Sequence, residues 1–475
     1  MKQSKLWIGG QHVDPTGGEY FDDLNPSDQS LLAKVAKATA KDVDRAIGAA
    51  KETFKEFSQT QAKEREKILS DAASLVERDK DEYLSLLIDE VGSPIMKAQF
   101  EVDYCINAFR AAAGVPRRLT GETMPLDRPG ALGMSVREPV GVIACITPFN
   151  VPLLKNVKQI AMVIATGNTS VLLPSEFATQ VTVKFAQTLE EAGLPAGVFN
   201  YVTGDPFEIG DALTSHPDIA AVNFCGSPRI GKHVAEIAAK DLKPITLELG
   251  GKNPLIILDD ADLDKALEAA TIGIFFFQGQ ACMASSRIIL QRGISERFIA
   301  AFTDIARNIK IGDLSDPETA LGPIISERQI KRIKSHIDDA IKKGATLIHG
   351  GNEWQGQCCP PTILTDVKEG MTVFREETFG PVTSIYTVDT VEEAVTLAND
   401  TEYGLSFSIF TSDITTALKT AQRANSGMVH INAMSIQDEP HVPFGGNGLS
   451  GFGREGTEAD LDIMTRWKWI TIQLD

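Results

Sequence analysis

The strongest constraint in this sequence is a rhythm that begins at Pro139. Apolar runs VGVIACI (140–146), TSVLL (169–173), VFNYV (198–202) and AAVNF (220–224), with the extended PITLEL (244–249), alternate with helical stretches. Those stretches run from Leu153 to Ile164, near 180–192, and onward from Arg229. A strand that is apolar at every position is buried on both faces, which points to a parallel sheet covered by helices. The alternation therefore predicts an α/β fold with a doubly wound parallel sheet. Sheets of this type bind ligands outside the carboxyl ends of their strands. A second α/β region is expected over about 251–450, with RIILQ, SIYTV, FSIF and GMVHI as strands. Residues 41–114 read mostly as helix, because apolar residues recur at helical spacing through ILSDAASLVERDKDEYLSLLIDEV. Pro116 and Gly121 break that pattern, and 117–139 has no clear period. The tail, TRWKWITIQLD, alternates polar and apolar residues as an edge strand does, and a second subunit could complete it.

A chain of 475 residues is long enough for two or three domains with sizeable cores. Its net charge of -18 and the lack of a basic footprint argue against nucleic acid as a partner. The six cysteines are sparse and lack CxxC spacing, so neither a disulfide framework nor a metal site is expected. The opening MKQSKLWIGGQHVD lacks the apolar core of a signal peptide, and TIQLD carries no lipidation signal. Apolar runs such as Ile272 to Phe277 are too short to span a bilayer. A cytoplasmic protein without membrane association is the expectation.

Four segments could carry chemistry. GQACMASSR (279–287) sets Cys282 among small uncharged residues, a setting open to a reactive thiol and equally to a buried structural one. TLELGGKNP (246–254) puts Glu248 in an otherwise apolar strand before two glycines, where a buried carboxylate would suit a general base. ITPFNVPLL (146–154) places Asn150 just past a buried strand, as a helix N-cap or as an amide donor to an oxyanion. NFCGSPRIGKHV (223–234) is a strand, a glycine turn and a helix, which can present N–H groups to phosphate. It nearly fits the nucleotide-triphosphate pattern GxxxxGK[ST], but His233 replaces the hydroxyl. It lacks the full GxGxxG dinucleotide pattern as well. By itself the turn decides nothing.

Taken together, these segments resemble the aldehyde dehydrogenase superfamily over nearly the whole chain. The resemblance rests on TPFN, GNTSVLLPSE, FCGSPRIG, LELGGKNP, GQACMASSR, EETFGPV, NDTEYGLS and PFGGNGLSGFGREG standing in the family's order. It implies Cys282 as nucleophile, Glu248 as general base and Asn150 as oxyanion donor, aided by the Cys282 backbone N–H. It also implies that Gly226, Ser227 and Gly231 face the cofactor pyrophosphate and that Glu176 meets the adenosine ribose. Glu377 and Phe379 would hold the nicotinamide ribose and ring. The implied reaction is covalent: thiolate attack, hydride loss to the nicotinamide and hydrolysis of the thioester. The implied architecture is a dinucleotide-binding domain (1–116 and 140–250), a catalytic domain (251–450) and a β oligomerisation arm (117–139 and 451–475). A homodimer or homotetramer is the expected assembly.

The departures from the family pattern are informative. Leu173 stands where a Lys usually precedes PSE, and Glu176 would repel a 2′-phosphate, so NAD is expected rather than NADP. Cys225 and Pro228 replace threonines common in the phosphate turn, and Gly448 replaces a common Lys. The Lys typical of the helix after Asn150 is Gln159 here, with Lys158 beside it. Phe149 replaces a common Trp. Phe149, Phe276, Met283 and Phe444 are the candidates to line the substrate pocket. With Phe275, Phe277 and Lys158 they point to an aromatic or other apolar aldehyde, although the same rings would also serve as core packing. A CoA-acylating relative is the close alternative, against which Glu248 counts. A non-catalytic member with weak NAD binding and a nucleotide triphosphatase are the more distant ones.

Overall fold

A computed structural model describes residues 2–351 and 353–474. The first sheet has at its centre parallel strands in the order Ile245–Glu248, Ile219–Cys225, Val142–Ile146, Thr169–Leu173, Phe199–Tyr201. Antiparallel partners extend both sides: Gly451–Phe452 beside Ile245–Glu248, and Leu6–Ile8 followed by Gln11–Val13 beyond Phe199–Tyr201. Strand order reverses between Val142–Ile146 and Ile219–Cys225, which places the ligand crevice at the carboxyl ends of these two strands.

Alternation along each strand builds two cores, one per face. Ile143, Cys145 and Leu172 pack with helices Ala62–Arg78, Ile95–Ala113, Pro152–Thr166 and Thr179–Glu191. Val142, Ala144, Ile146, Val171 and Leu173 pack with Ala40–Phe57, Pro206–Ser215 and Pro228–Lys240. Each fully buried aliphatic side chain contributes about 1.5–3 kcal/mol, which is why these strands are apolar on both faces. The doubly wound sheet is the fold the sequence predicts.

The second sheet runs Thr346–His349, Thr362–Thr365, Val382–Val388, Arg287–Gln291, Pro254–Ile257, Ser406–Phe410, Met428–Ile431, parallel except for its first pair. Helices Leu263–Phe275 and Arg292–Asn308 cover one face, and Glu327–Lys342 and Val391–Asn399 the other. The four strand candidates in this region are all present. Three further strands, Pro254–Ile257, Thr346–His349 and Thr362–Thr365, were not expected.

The tail strand Thr465–Gln473 pairs antiparallel with Ala131–Pro139 of the same chain, and Glu122–Met124 flanks the far side. The stretch 117–139 thus contains a strand despite its irregular sequence, because its pairing partner lies at the other end of the chain. Trp467 and Trp469 stand exposed on the tail strand, which is an edge. All six cysteines are free. Among the described residues no helix is long and apolar enough to cross a membrane, and no cluster of His, Cys, Asp and Glu could hold a metal ion.

Candidate active site

Two strand ends and one strained turn converge at the crevice. Beyond Val142–Ile146, the Thr147 hydroxyl donates to Asn156 Oδ1 at 2.8 Å and ties the strand end to the following helix. That helix starts at Pro152 with Val151 as its N-cap, so Asn150 is not spent as a cap. The Asn150 side chain is buried and forms no hydrogen bond among the described residues.

The neighbouring strand ends on Glu248, which is 2% exposed. Its carbonyl accepts from the Gly226 N–H at 3.0 Å, yet neither of its carboxylate oxygens has a partner among the described residues. Burial raises its pKa well above the ordinary 4.5; Lys155 opposes that shift and Glu455 reinforces it. Gly445 leaves the room for this side chain: a Cβ there would come within 2.7 Å of Glu248 Oε1. Buried polar groups in proteins are nearly always satisfied, so this orphaned carboxylate is unusual.

Cys282 follows a turn that breaks the helix Leu263–Phe275. Phe277, Gln278 and Gly279 all have left-handed φ, at 50°, 55° and 67°. Such strain costs of order 1–3 kcal/mol for each non-glycine residue and persists only when neighbours enforce it. Here the Gln278 amide donates to Gly92 O at 2.9 Å and Pro323 O at 3.1 Å. Asn253, from the Glu248 segment, donates to Cys282 O at 2.8 Å and Ala284 O at 3.0 Å. Its own oxygen accepts from the Ser406 N–H at 2.9 Å. The Ser435 hydroxyl donates to Met283 O at 2.7 Å. A Cβ on Gly251 would lie 2.4 Å from Cys282 O, so the glycine lets the two segments touch. Burial pushes the half-buried Cys282 thiol up to about 12, with Lys155 pulling down and Glu377, Glu248 and Asp438 pushing up. The thiol is therefore protonated at neutral pH until a base takes its proton.

A buried charge network flanks the centre. Helix Pro152–Thr166 is buried on every side, yet it carries Lys155 and Lys158. Lys155 pairs with Glu455, both almost fully buried, and Lys158 pairs with Asp438 at 2.8 Å. The Tyr104 hydroxyl donates to the same Asp438 oxygen at 2.9 Å. Both ammonium groups sit over the Phe444 ring, at 4.9 and 4.5 Å from its centroid.

The expected pocket rings divide into groups. Phe444 belongs to the lysine network. Phe276 meets Phe100 edge-on at 5.6 Å, and Phe149 meets Phe177 and Phe379 edge-on at 6.1 and 6.0 Å. Met283 is half-buried beside Cys282. Phe275 and Phe277 are core residues, the former stacked on Phe302 at 5.6 Å and the latter under Lys97.

On the expected cofactor side, Gly226 and Ser227 stand at the start of helix Pro228–Lys240. Ser227 is its N-cap but makes no side-chain cap, and Pro228 follows it. This helix end lies at the strand-order reversal with first-turn N–H groups uncapped, which suits a diphosphate. Gly231 lies within the helix, where a Cβ would come 2.5 Å from Leu249 Cδ2; the glycine brings helix and strand close together. Glu377 accepts from the Gly251 N–H at 2.9 Å, and burial raises its carboxyl to about 7. Phe379 has a left-handed φ of 57°, held by the Gln329 amide donating to Thr378 O and Phe379 O. Glu176 is half-buried and lines a cavity of about 380 Å³ with Phe177 and Ser326. Leu173 is wholly buried in the core.

The model of the Aldehyde dehydrogenase family matches residues 12–470. The chain belongs to this family. This aldehyde dehydrogenase is 39% identical to vanillin dehydrogenase of Pseudomonas fluorescens over 476 residues, covering 100% of this chain and 98% of the relative. Its structure matches that of a salicylaldehyde dehydrogenase from Pseudomonas putida G7, solved with salicylaldehyde, at a TM-score of 0.97. The identity is 38%, covering 100% of this chain and 98% of the other. An NADP dependent enzyme of E. coli matches at a TM-score of 0.97 and 34% identity, covering 100% and 98%. The chain is an NAD(P)-dependent aldehyde dehydrogenase, and its family oxidises aldehydes to acids.

Sequence reasoning had no role for Asn253, Lys155, Glu455, Asp438, Tyr104 or Ser435. One signal was available: lysines inside the apolar run PLLKNVKQIAMVIAT require buried partners.

Proposed function

We propose that this enzyme oxidises an aromatic aldehyde to its carboxylic acid with NAD, using Cys282 as nucleophile, Glu248 as general base and Asn150 as oxyanion donor. The observation that carries the reading is the pairing of two features in one segment. Glu248 keeps both carboxylate oxygens buried and unpartnered, while Asn253, a few residues on, clamps the Cys282 carbonyl. Base and nucleophile are thereby held by one rigid support, as covalent catalysis requires.

In this reading the Cys282 thiol passes its proton to water and its sulfur attacks the aldehyde carbon. The free Asn150 amide and the Cys282 backbone N–H receive the oxyanion. NAD, when bound, supplies the hydride acceptor that turns the adduct into a thioester. Ionised Glu248 then takes a proton from the water that releases the acid, and a pKa raised above the usual carboxylate range suits that task. The first turn of helix Pro228–Lys240, with Gly226 and Ser227, would hold the diphosphate. Glu377 would hold the nicotinamide ribose and Glu176 the adenosine ribose.

NAD is proposed over NADP because Glu176 would face a 2′-phosphate with a like charge and Leu173 is buried in the core. The aromatic preference rests on the half-buried rings Phe149 and Phe276 and on the vanillin and salicylaldehyde activities of the relatives. The division into a dinucleotide-binding domain, a catalytic domain and a β arm, with a cytoplasmic dimer or tetramer joined through that arm, belongs to the same proposal. The exposed edge strand Thr465–Gln473 supports the role of the arm.

The test is a panel of aromatic and aliphatic aldehydes with NAD and NADP, with the product analysed with and without CoA. The expected product is the free acid, made faster with NAD. Cys282→Ala should lower turnover by at least about 10³-fold while leaving NAD binding intact. Acyl-CoA as the main product, or full activity in Cys282→Ala, would overturn the reading.

A further inference from the structure

Lys155 is a cation in a helix that is otherwise core. Helix Pro152–Thr166 is buried along its whole length, and the Lys155 side chain is 3% exposed. A charge so placed needs a partner. Glu455 supplies it, and the Gln159 amide, one turn on, donates to the other Glu455 oxygen at 3.4 Å. Glu455 is thus held from two sides and fixes where the ammonium sits.

That place adjoins the proposed reaction centre. The ammonium stands 4.9 Å from the centroid of the Phe444 ring. Phe444 exchanges backbone hydrogen bonds with Glu455, at 2.8 and 2.9 Å. The next residue, Gly445, faces Glu248: a Cβ there would come within 2.7 Å of its Oε1. One short strip, 444–445, therefore meets Lys155 and Glu455 at its first residue and Glu248 at its second. Among the described residues no hydrogen bond joins Lys155 to Glu248, so the ammonium acts on it through space.

The charges around both proposed reacting groups rank in the same way. Burial raises the pKa of Glu248; among the charges Lys155 acts most strongly and favours the ionised form, with Glu455 against it and Lys158 and Arg454 in support. Burial raises that of Cys282 as well; there Lys155 is again the strongest charge, and Glu377, Glu248 and Asp438 all oppose ionisation. In return, Glu455, Cys225 and Glu248 favour the charged form of Lys155.

The two groups need a counter-charge at different times. The thiolate forms first, its proton leaving to water, and the carboxylate acts as base afterwards. While both are anionic, each opposes the ionisation of the other. Once acylated, the sulfur is neutral and the field of Lys155 is left to Glu248. We propose that Lys155, pinned by Glu455, is a positioning residue for both halves of the reaction: it is the counter-charge first of the Cys282 thiolate and then of the Glu248 carboxylate. This rests on the assignment of Cys282 and Glu248 above and adds to it the group that favours the ionised form of each.

Lys155→Met alone strands Glu455, so the test removes both charges, in Lys155→Met combined with Glu455→Gln. Replacing both partners of a buried pair is much less disruptive than removing one. Two rates are followed against pH in this double variant, in Lys155→Arg and in the unaltered enzyme. Alkylation of Cys282 by iodoacetamide, without NAD, reads the thiolate. Release of the acid in a single turnover reads the Glu248 carboxylate. In the double variant alkylation near neutral pH should slow by about tenfold, the effect of one pKa unit on a thiol far below its midpoint. The profile of acid release should move to higher pH by about the same interval. Lys155→Arg keeps a permanent cation and should stay within about threefold of the unaltered enzyme in both rates. A merely structural pair would lower turnover equally at every pH and leave alkylation unchanged. That outcome in the double variant, with the label found on Cys282, overturns this inference alone, and so does a shift in Lys155→Arg as large as that of the double variant. A label on Cys225 with Cys282 free, or steady turnover in Glu248→Gln, removes the assignment of the site and this inference with it.

Discussion

Glu455 and Glu248 are both buried glutamates in one interior, and the protein treats them in opposite ways. Glu455 is fully engaged: Lys155 and Gln159 donate to it, and the neighbouring lysines hold its pKa below the ordinary 4.5 in spite of burial. Glu248 has no donor, and burial raises it well above that value. The same low-dielectric surroundings give an ionised structural anchor where a cation is in contact and a poised carboxyl where none is. The contrast separates what holds the site from what the proposed reaction uses.

The comparison breaks most severely if the anchor loses its cation. Lys155→Met leaves Glu455 buried without its charge partner, which typically costs about 3–5 kcal/mol. A denaturant titration should register that loss; stability within about 1 kcal/mol of the unaltered enzyme would mean that the pair is not an anchor. On the side proposed to react, Asn150→Ala should leave stability nearly unchanged, since the amide has no hydrogen-bond partner among the described residues. It should lower kcat by about 10²–10³, the usual effect of losing one oxyanion donor. A stability loss with kcat preserved would reverse the assignment.

A smaller effect sharpens the comparison through pH. Asp460 lies near the anchor; burial, with Glu455 adding to it, raises its pKa from 3.8 to about 7. Its Oδ2 accepts from the Gly456 N–H at 2.9 Å, whereas its Oδ1 is unpartnered. With the folded pKa raised, folding takes up a proton between pH 4 and 7. The contribution of Asp460 to stability is complete below about pH 4 and declines as pH rises through 7. Asp460→Asn removes that dependence, so its stability relative to the unaltered enzyme should increase over this window. A constant difference would contradict the shift.

The first sheet was legible because its strands are apolar at every position and its helices have a clean period; TSVLL matches its strand end to end. The helix Pro206–Ser215 escaped notice because it is short, although Asp205 caps it and Pro206 opens it. Pro254–Ile257 was hidden in the glycine-rich segment it follows, and Ala131–Pro139 by a partner in the distant tail. Cys282, Glu248 and Asn150 stood out through their motifs. Asn253 lay inside a motif without a role, since nothing local tells that its amide spans to Cys282. Lys155 and Glu455 are 300 residues apart, and Lys158 and Asp438 are 280 apart. Two buried charges that complete each other across such distances leave only half a signal at each end.

The central claim, that Cys282 carries the acyl group and Glu248 releases it, is tested most directly by Glu248→Gln. Mixed with NAD and an aromatic aldehyde, this variant should give a burst of one NADH per site and then nearly stop. Intact-mass and peptide analysis should find the acyl group on Cys282. Steady turnover at the unaltered rate, or an acyl group on the nearby Cys225 with Cys282 free, would contradict the account.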